Sequence, residues 1–339
     1  MGYNVKIQPA DLEFRVSAGE TILESAIKSN VYLEHSCMDG SCGTCKAKLI
    51  QGSVSQLGET AVLSEDDVKK GFILTCCSQA LSNIELVVNY YPELTVIKRT
   101  IQPCKVDELS FPASDVAILK LRIPPTAKFK FLAGQYIQLI IKGERRSYSI
   151  ANISETYEGI ELHIRKVIRG VFSDYIFNEL KVNQLLRLEG PMGTFFVRKG
   201  NAPVIFLAGG TGFAPVKSMV EQLIKENTNR KIFIYWGSTT ESGFYSDEAK
   251  IWQNQHENIK YIPVLSGTDS YRGRKGLVHR AVLEDLNDLI EYEVYACGSP
   301  IMIEAARKDF ILNGLKPGNF YSDAFVSSDK KVAINRANR

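Results

Sequence analysis

The sequence lacks several features, and each absence excludes a class of protein. It contains no apolar run near the roughly 18 residues that a membrane-spanning helix needs. Its formal net charge is only +3, which argues against a nucleic-acid-binding protein. Residues 1–14 contain no basic segment followed by an apolar run. We therefore expect no secretory signal and a cytoplasmic protein without a membrane anchor.

The composition is that of a globular protein with more than one domain. Hydrophobic residues make up 45% and charged residues 23% of the chain, which excludes disorder over most of its length. A length of 339 residues predicts two or three domains. The seven cysteines form an odd set in a chain without a secretory signal, so the sequence favours metal binding or catalysis over a disulfide framework.

Five of the cysteines lie between residues 37 and 77, and three of them have a diagnostic spacing. Cys37, Cys42 and Cys45 form C-x-x-x-x-C-x-x-C, the spacing of plant-type [2Fe–2S] proteins. Each of two irons needs two thiolates, so three come from one tight loop and the fourth from further along the chain. Gly40 and Gly43 give that loop the backbone freedom to wrap around a cluster.

The residues alone leave the fourth ligand open between the adjacent Cys76 and Cys77. A zinc site would need two C-x-x-C pairs, and this sequence has one. A Rieske centre would need two histidine ligands, and only His35 is near. We therefore expect a [2Fe–2S] cluster, with His35 as a packing or surface residue.

The pattern around these cysteines predicts a small ferredoxin-like domain over residues 1–90. Asn4–Ile7 and Glu13–Val16 alternate like a hairpin, and Thr21–Lys28 has helical periodicity. Lys46–Ile50 and Ile84–Val88 alternate as strands. Residues 1–90 have a net charge of −4 and the remainder +7. This asymmetry suits an electron carrier that docks on basic partners, and a solvated acidic face explains it equally well.

Four further segments follow. Residues 91–100 have no clear period and are predicted to be a linker. Short alternating strands over residues 101–198 predict an antiparallel barrel. Residues 199–326 alternate between strand and helix patterns, which predicts a doubly wound parallel sheet. Residues 327–339 are predicted to be a disordered basic tail.

A glycine-rich turn opens the last of these domains. The apolar strand Val204–Ala208 runs into Gly209-Gly210-Thr211-Gly212. Such a turn at the start of a helix holds phosphate through backbone amides, although it is not the standard G-x-G-x-x-G pattern. Cys297-Gly298 ends another strand, at the sheet edge where ligands bind in such folds.

Three motifs in order carry a resemblance to a known family. They are Arg146-Ser147-Tyr148-Ser149, Gly170-Val171-Phe172-Ser173 and G-G-T-G-F-A-P at residues 209–215. In this order, after a plant-type ferredoxin domain, they resemble the ferredoxin-NADP reductase superfamily. The resemblance implies FAD in the barrel, a nicotinamide nucleotide in the last domain and, from the motif L-T-C at residues 74–76, Cys76 as the fourth cluster ligand.

The resemblance also implies roles for particular residues. Expected contacts to FAD come from Arg146 to the pyrophosphate, Tyr148 to the ring or ribityl chain, Ser149 to the flavin N5, His163 and Arg165 near the adenosine, and Gly170 and Ser173 at the pyrophosphate. Expected contacts to the nicotinamide nucleotide come from Gly210, Thr211, Gly212, Cys297 and Gly298. The expected catalytic residues are Ser149, Cys297 and Phe325, the last shielding the flavin ring.

The sequence favours NADH over NADPH. A 2′-phosphate normally needs an arginine near the ribose, and residues 238–241 after the strand Ile232–Trp236 contain none. Arg272, Arg274 and Lys275 occur later and leave NADPH possible.

The order of domains predicts electron transfer from NADH through FAD and the [2Fe–2S] cluster to a partner protein. Residues 89–94, 121–128, 145–152 and 321–326 resemble reductases of dideoxysugar biosynthesis. That resemblance implies, as partner, a pyridoxamine-phosphate, iron–sulfur dehydrase acting on a CDP-4-keto-6-deoxyhexose. The alternatives are the reductase component of an aromatic-ring dioxygenase or multicomponent monooxygenase, and a redox-sensing binding module.

Overall fold

A computed structural model describes residues 2–58, 62–267 and 271–326. The described chain divides into two compact units, one formed by residues up to Lys98 together with residues 323–326, and the other by Arg99–Ser322. The basic tail predicted over 327–339 lies outside the described residues. No helix in the described ranges is long and apolar enough to cross a membrane.

The first unit is a β-grasp domain with a five-stranded sheet. Its elements are β1 (Gly2–Gln8), β2 (Leu12–Ser17), α1 (Ile22–Lys28), β3 (Lys46–Gln51), β4 (Val54–Gln56), α2 (Glu65–Lys69), β5 (Phe72–Leu74), β6 (Ser78–Ala80) and β7 (Ile84–Val87). The strand order is β2-β1-β7-β3-β5, with β1 and β7 parallel. Thr21 and Glu24 form a capping box that starts α1, which satisfies two amides at the helix terminus. The predicted ferredoxin-like fold is confirmed.

The segment predicted as a linker packs against this domain instead of running free. Tyr91, Leu94 and Ile97 are buried, and a 3₁₀ turn spans Pro92–Val96. The hydroxyl of Tyr32 donates a hydrogen bond of 3.2 Å to the carbonyl of Ile97. These apolar positions do not follow a helix or strand period, so the sequence pattern did not reveal them.

The second unit begins with an antiparallel barrel. Its elements are β8 (Thr100–Ala113), β9 (Val116–Arg122), β10 (Tyr136–Ile141), β11 (Glu144–Ser149), β12 (Ile160–Arg165), α3 (Val171–Asn178) and β13 (Leu185–Met192). The strand order is β11-β10-β13-β8-β9-β12. An antiparallel bridge between Ile150 and Leu162 joins the two ends of this order. The predicted barrel is confirmed, and we call it the flavin barrel below.

A parallel sheet completes the second unit. Its elements are β14 (Val204–Gly209), α4 (Phe213–Lys225), β15 (Ile232–Ser238), α5 (Glu248–Gln255), β16 (Ile259–Leu265), β17 (Arg274–Lys275), α6 (Val278–Asp285), β18 (Glu293–Gly298), α7 (Pro300–Leu312) and β19 (Phe320–Ala324). The strand order is β17-β16-β15-β14-β18-β19. Strands β15 and β18 lie on either side of β14, so the winding of the sheet changes direction at β14. The ligand-binding switch point therefore lies at the carboxyl end of β14. We call this part the nucleotide subdomain.

The flavin barrel and the nucleotide subdomain share apolar packing. Val116 and Phe195 of the barrel belong to the same buried cluster as Phe206, Phe213 and Trp236 of the nucleotide subdomain. Burying a side chain of this size contributes about 1.5–3 kcal/mol. The shared core explains why the two parts form one compact unit.

Candidate cofactor sites

Four cysteines of the first unit come together as two pairs of sulfur atoms. Cys45 Sγ lies 3.1 Å from Cys76 Sγ. The thiols of Cys37 and Cys42 share a hydrogen bond which, together with burial, raises the pKa of Cys37. Two pairs of thiols are the arrangement that two irons with two thiolates each require. In the described ranges, no group of three or more His, Cys, Asp or Glu side chains is arranged to hold a single metal ion.

The local fold brings Cys76 to Cys45. β3 and β5 pair with Lys46 opposite Leu74, so the residues just outside these strands lie side by side. The amide of Thr75 donates to the carbonyl of Cys45 at 3.1 Å. Cys77 Sγ lies 3.5 Å from Cys76 Sγ. The geometry favours Cys76 as the fourth ligand.

The backbone of the loop and a buried hydroxyl also fit a cluster. Gly43 has φ +76°, and a Cβ there would come within 2.5 Å of Val62 Cγ1, so only glycine is accommodated. Ser78 Oγ is buried and has no hydrogen-bond partner in the described chain. Buried hydroxyls normally find an acceptor, and the sulfurs of a bound cluster would supply one. His35 is a packing residue, buried with Nδ1 2.7 Å from the carbonyl of Leu33.

The predicted FAD residues of β11 face the start of α3. The guanidinium of Arg146 lies 5.8 Å from the ring centre of Phe172, and the Tyr148 ring lies 5.9 Å from the same ring. Gly170 is the N-cap of α3. Arg146 and the free amides of α3 therefore lie close together, as binding of one pyrophosphate requires. Burial raises the pKa of Tyr148, which keeps it a neutral phenol.

Ser149 and Ser173, two other residues predicted to contact FAD, are also buried. Ser149 is buried at the end of β11, opposite Tyr136 of β10. Ser173 Oγ accepts a hydrogen bond from the amide of Val167 at 3.1 Å and donates to the carbonyl of Gly170 at 2.9 Å. The Ser173 hydroxyl therefore stabilises the loop before α3. A contact between Ser173 and FAD would come from the backbone amide of Ser173.

The glycine turn meets Cys297 directly. β14 and β18 pair in parallel with Ala208 opposite Cys297. A 3₁₀ turn spans Gly210–Gly212 before α4, and a Cβ on Gly212 would come within 2.2 Å of the Cys297 carbonyl oxygen. Cys297 is fully buried. The residues predicted to hold the nicotinamide nucleotide, Thr211 and Gly298 included, are thus neighbours at the switch point of the sheet.

His163 was predicted to lie at the FAD adenosine, and this position stays a prediction. The side chain is buried, and protein groups engage both of its ring nitrogens. Nδ1 lies 2.9 Å from the hydroxyl of Tyr245, and Nε2 lies 3.0 Å from Glu161 Oε1. Alternation along β12 places Glu161 and His163 on the same face of the strand, but it did not reveal Tyr245, which lies 82 positions further along the chain.

Arg165 lies at the nucleotide turn. Its guanidinium carbon is 3.3 Å from the position that a Cβ on Gly210 would occupy. Arg165 Nη1 is 3.7 Å from Asp115 Oδ2, and its Nε is buried without a hydrogen-bond partner in the described chain. Arg165 therefore lies beside the glycine turn, and its contact to FAD stays a prediction.

Arg274, one of the three residues that left NADPH open, is held by carboxylates. Its guanidinium lies 2.6 Å from Glu284 Oε2 and 2.7 Å from Asp285 Oδ1. It also donates to the carbonyl of Ala281. A guanidinium neutralised by two carboxylates is a poor partner for a 2′-phosphate, which favours NADH.

Phe325 follows β19 and is 36% exposed. It lies in the segment grouped with the first unit, where Ser36 donates a hydrogen bond to Asp323. Its predicted shielding of the flavin stays a prediction.

The sequence analysis missed Lys217, a buried cation on α4, because no motif marks it. The only signal in the sequence was the four-residue spacing between Lys217 and Glu221, which places both on one face of a helix.

Three domain families match successive parts of the chain. Residues 5–81 match the 2Fe-2S iron-sulfur cluster binding domain, residues 103–197 the oxidoreductase FAD-binding domain, and residues 206–308 the oxidoreductase NAD-binding domain. The chain belongs to the family of ferredoxin-NADP-reductase-like proteins that carry a [2Fe–2S] domain. It is an NAD(P)H-dependent oxidoreductase with a [2Fe–2S] cluster, FAD and NADH as cofactors.

Individual relatives are similar over nearly the whole chain. The CDP-6-deoxy-L-threo-D-glycero-4-hexulose-3-dehydrase reductase of Yersinia pseudotuberculosis is 58% identical over 97% of this chain and 100% of its own. Protein RfbI of Salmonella typhimurium is 48% identical over 97% and 98%. Reductase component 1 of terephthalate 1,2-dioxygenase from Comamonas is 33% identical over 97% and 98%. The solved structure of Amycolatopsis cytochrome P450 reductase GcoB superposes with a TM-score of 0.78 at 26% identity, covering 96% and 99% of the two chains.

Proposed function

We propose that this protein passes electrons from NADH to a CDP-sugar dehydrase, the activity of a CDP-6-deoxy-delta-3,4-glucoseen reductase. The observation that carries the proposal is the 58% identity, over the full length of that relative, to a reductase named for such a dehydrase. Reductases named for an oxygenase are 33% identical or less among the relatives compared. The difference favours the sugar system.

Each site contributes a defined part of this activity. When bound, FAD takes a hydride from NADH and passes on single electrons, which the cluster carries. The glycine turn and the first amides of α4 hold the phosphates of NADH, and Arg165 adds a positive charge beside Gly210. The carbonyl group of Cys297 lies against that turn, and its small polarisable thiol would pack beside a bound nicotinamide. Arg146 and the start of α3 anchor the FAD pyrophosphate, and Ser149 offers a hydroxyl to the flavin N5.

The cluster loop provides the exit for electrons. Cys37 and Cys42 are partly exposed, and Asp39 between them is exposed. Residues 1–90 have a net charge of −4. A partly exposed cluster loop on an acidic domain suits brief docking on a basic partner surface, in which electrostatics mainly sets the association rate.

The proposed partner is a pyridoxamine-phosphate, iron–sulfur dehydrase acting on a CDP-4-keto-6-deoxyhexose, with electrons completing the removal of the C3 oxygen. The test combines this protein, the dehydrase and the sugar nucleotide under anaerobic conditions. We expect NADH consumption in proportion to a 3,6-dideoxy product. NADH oxidation at the background rate, with rapid reduction of an aromatic-ring oxygenase in a parallel assay, would overturn the proposal.

The second candidate, an oxygenase reductase, is favoured by the 33% identity to the terephthalate dioxygenase reductase component, and the parallel assay decides between the two. A redox-sensing module remains a third hypothesis. It predicts negligible steady-state turnover of NADH with ferricyanide, whereas both reductase functions predict rapid turnover.

A further inference from the structure

A buried lysine on α4 faces three carboxylates. Lys217 Nζ lies 2.6 Å from Glu221 Oε1, 3.2 Å from Glu161 Oε1 and 3.3 Å from Glu248 Oε1. The lysine side chain is 5% exposed, and those of Glu161 and Glu221 are 10% exposed. Buried charges are costly unless they are paired and hydrogen-bonded, so this group is a built feature and not a chance surface contact.

The group joins the two parts of the second unit. Glu161 and His163 belong to β12 of the flavin barrel, whereas Lys217 and Glu221 belong to α4. Glu161 contacts both Lys217 and His163, and His163 contacts Tyr245 of the nucleotide subdomain. Residues Glu161, His163, Lys217, Glu221, Tyr245 and Glu248 are called the Lys217 cluster below.

Glu221 makes a second connection to the barrel. Its other carboxylate oxygen, Oε2, accepts hydrogen bonds from the amide of Ile153 at 3.2 Å and from Thr156 Oγ1 at 3.0 Å. Ser218, the residue after Lys217, accepts a hydrogen bond from the amide of Gly134 at 3.0 Å. One face of α4 is therefore fixed to the barrel by directional polar contacts.

Contacts continue from the cluster to the nucleotide turn. The Tyr245 ring packs edge-on against Trp236, with ring centres 5.1 Å apart. The indole N–H of Trp236 donates to the carbonyl of Gly210 at 2.9 Å. From the barrel, β12 ends at Arg165, whose guanidinium lies against Gly210. The cluster is therefore connected to the glycine turn in two ways. One connection is β12, which carries Glu161 and His163 and ends at Arg165, and the other is the contact of Tyr245 with Trp236.

Apolar packing between the two parts cannot fix their register alone, because burial of apolar surface is non-directional. Hydrogen bonds between charged groups have defined lengths and angles. A buried ion cluster adds little stability compared with apolar residues of the same volume. In this protein the ion cluster instead fixes the position of α4 relative to β12.

We propose that the Lys217 cluster is a positioning element for hydride transfer, which holds the glycine turn of the nucleotide subdomain in register with the flavin barrel. Hydride transfer needs the reacting atoms about 3–3.5 Å apart, and a misplacement of about 1 Å costs on the order of 100-fold in rate. The members of the cluster act through the turn and do not touch the reacting atoms. The proposal depends on the NADH-to-FAD step and not on the identity of the final acceptor.

The test uses the intact holoprotein and three cluster variants. Glu161→Gln keeps size and removes charge, Tyr245→Phe removes one hydroxyl, and Lys217→Gln removes the central cation. Lys225→Gln is the matched control, because Lys225 lies on the same helix and pairs with Glu155 of the barrel at an exposed site. Anaerobic stopped-flow reduction gives the limiting rate at saturating NADH and the apparent Kd for NADH.

We expect the limiting rate to fall about ten- to 100-fold in Glu161→Gln and Lys217→Gln, and less in Tyr245→Phe. The apparent Kd for NADH should change less than threefold. The long-wavelength charge-transfer absorbance between reduced flavin and NAD⁺ should weaken, because it depends on ring stacking. Hydrogen exchange should speed up in peptides covering 160–165 and 213–225. Lys225→Gln should match the parent in every measurement.

Two results would overturn the proposal. One is an unchanged limiting rate and charge-transfer band in cluster variants that keep FAD. The other is an equal loss in electron transfer from photoreduced FAD to the cluster, which would indicate general structural damage. If Lys217→Gln does not fold, Glu161→Gln and Tyr245→Phe decide the question. No partner protein enters the assay, so failure of the dehydrase assignment does not affect its outcome.

Discussion

Cys45 Sγ and Cys76 Sγ lie 3.1 Å apart, although 31 residues separate them in the chain. The pairing of β3 with β5 produces this contact. Cys77 Sγ lies 3.5 Å from Cys76 Sγ, and the contact with Cys45 favours Cys76 over Cys77 as the fourth ligand. The first prediction follows from this relationship.

We expect Cys76→Ser to abolish the [2Fe–2S] cluster and Cys77→Ser to retain it. Visible absorption and the electron paramagnetic resonance signal of the reduced protein measure the cluster, with iron and acid-labile sulfide as a check. FAD content serves as the control for folding of the second unit. A bleached Cys77→Ser protein beside an intact Cys76→Ser protein would reverse the ligand assignment.

Cys297→Ala should slow NADH-to-FAD hydride transfer by about ten- to 100-fold, since the loss of the thiol leaves space beside the nicotinamide. Transfer from photoreduced flavin to the cluster should stay at the parent rate. Stopped-flow absorbance measures the first step, and laser photoreduction the second. Cys104→Ala is the matched control, because Cys104 is also buried but lies on β8 of the barrel. Parent-like reduction of Cys297→Ala by NADH would refute its placement.

Glu161 should make stability depend on pH. Burial opposes its ionisation, but the hydrogen bond and charge of His163 and the charge of Lys217 outweigh burial and lower its pKa to about 2. An unfolded glutamate titrates near 4.3. The ionised form therefore stabilises the folded protein above about pH 4.3, and this contribution is lost as the pH falls towards 2.

Glu161→Gln should consequently lower the free energy of unfolding at pH 7 by about 1–3 kcal/mol. The difference from the parent should stay constant above about pH 5 and shrink as the pH falls from about 4.3 towards 2, as followed by thermal release of FAD fluorescence. Burial raises the pKa of Glu221, so Glu221 contributes stability below its unfolded pKa and loses it as pH rises. Glu221→Gln should therefore cost less than Glu161→Gln at pH 7. The opposite order would contradict this assignment of charges.

Because Glu284 and Asp285 form ion pairs with Arg274, we expect the protein to prefer NADH over NADPH. In the double variant Glu284→Gln/Asp285→Asn the guanidinium loses both charged partners, and kcat/KM for NADPH should rise several-fold relative to NADH. Ferricyanide reduction measures both values. Adding Arg274→Gln to the double variant is the control and should remove the gain. If the ratio of kcat/KM for NADPH to kcat/KM for NADH is unchanged in the double variant, Arg274 has no role in nucleotide selection.

Short motifs allowed most of the fold to be predicted. The cysteine spacing, the R-x-Y-S strand and the glycine turn each require contacts within one element, or between a strand and the helix that follows. The structure places all three in the expected elements. The packed segment 91–98 was missed, since Tyr91, Leu94 and Ile97 lie in an irregular turn without a period.

The Lys217 cluster shows why the remainder could not be predicted. Its members are drawn from β12, α4, the loop before α5 and α5 itself, so only tertiary structure brings them together. For the same reason the contact between His163 and Tyr245 was not predicted, since 82 positions separate the two residues in the chain.

Salt should separate the last electron-transfer step from the earlier ones. Residues 1–90 have a net charge of −4, and raising salt from 0.05 to 0.5 M shortens the screening length from roughly 14 to 4 Å. Reduction of the partner should slow, while NADH turnover with ferricyanide should change less. Equal effects on both rates would exclude electrostatic docking through the ferredoxin domain.

The most direct test of the proposed electron path is rapid-freeze paramagnetic resonance of the cluster during one turnover with NADH. With this protein alone, the signal of the reduced cluster should appear after flavin bleaching and then persist. With the dehydrase and its CDP-4-keto-6-deoxyhexose present, the signal should decay as 3,6-dideoxy product forms. A signal that persists unchanged in the complete mixture, or product that forms while Cys76→Ser protein lacks a cluster, would contradict electron delivery through this site.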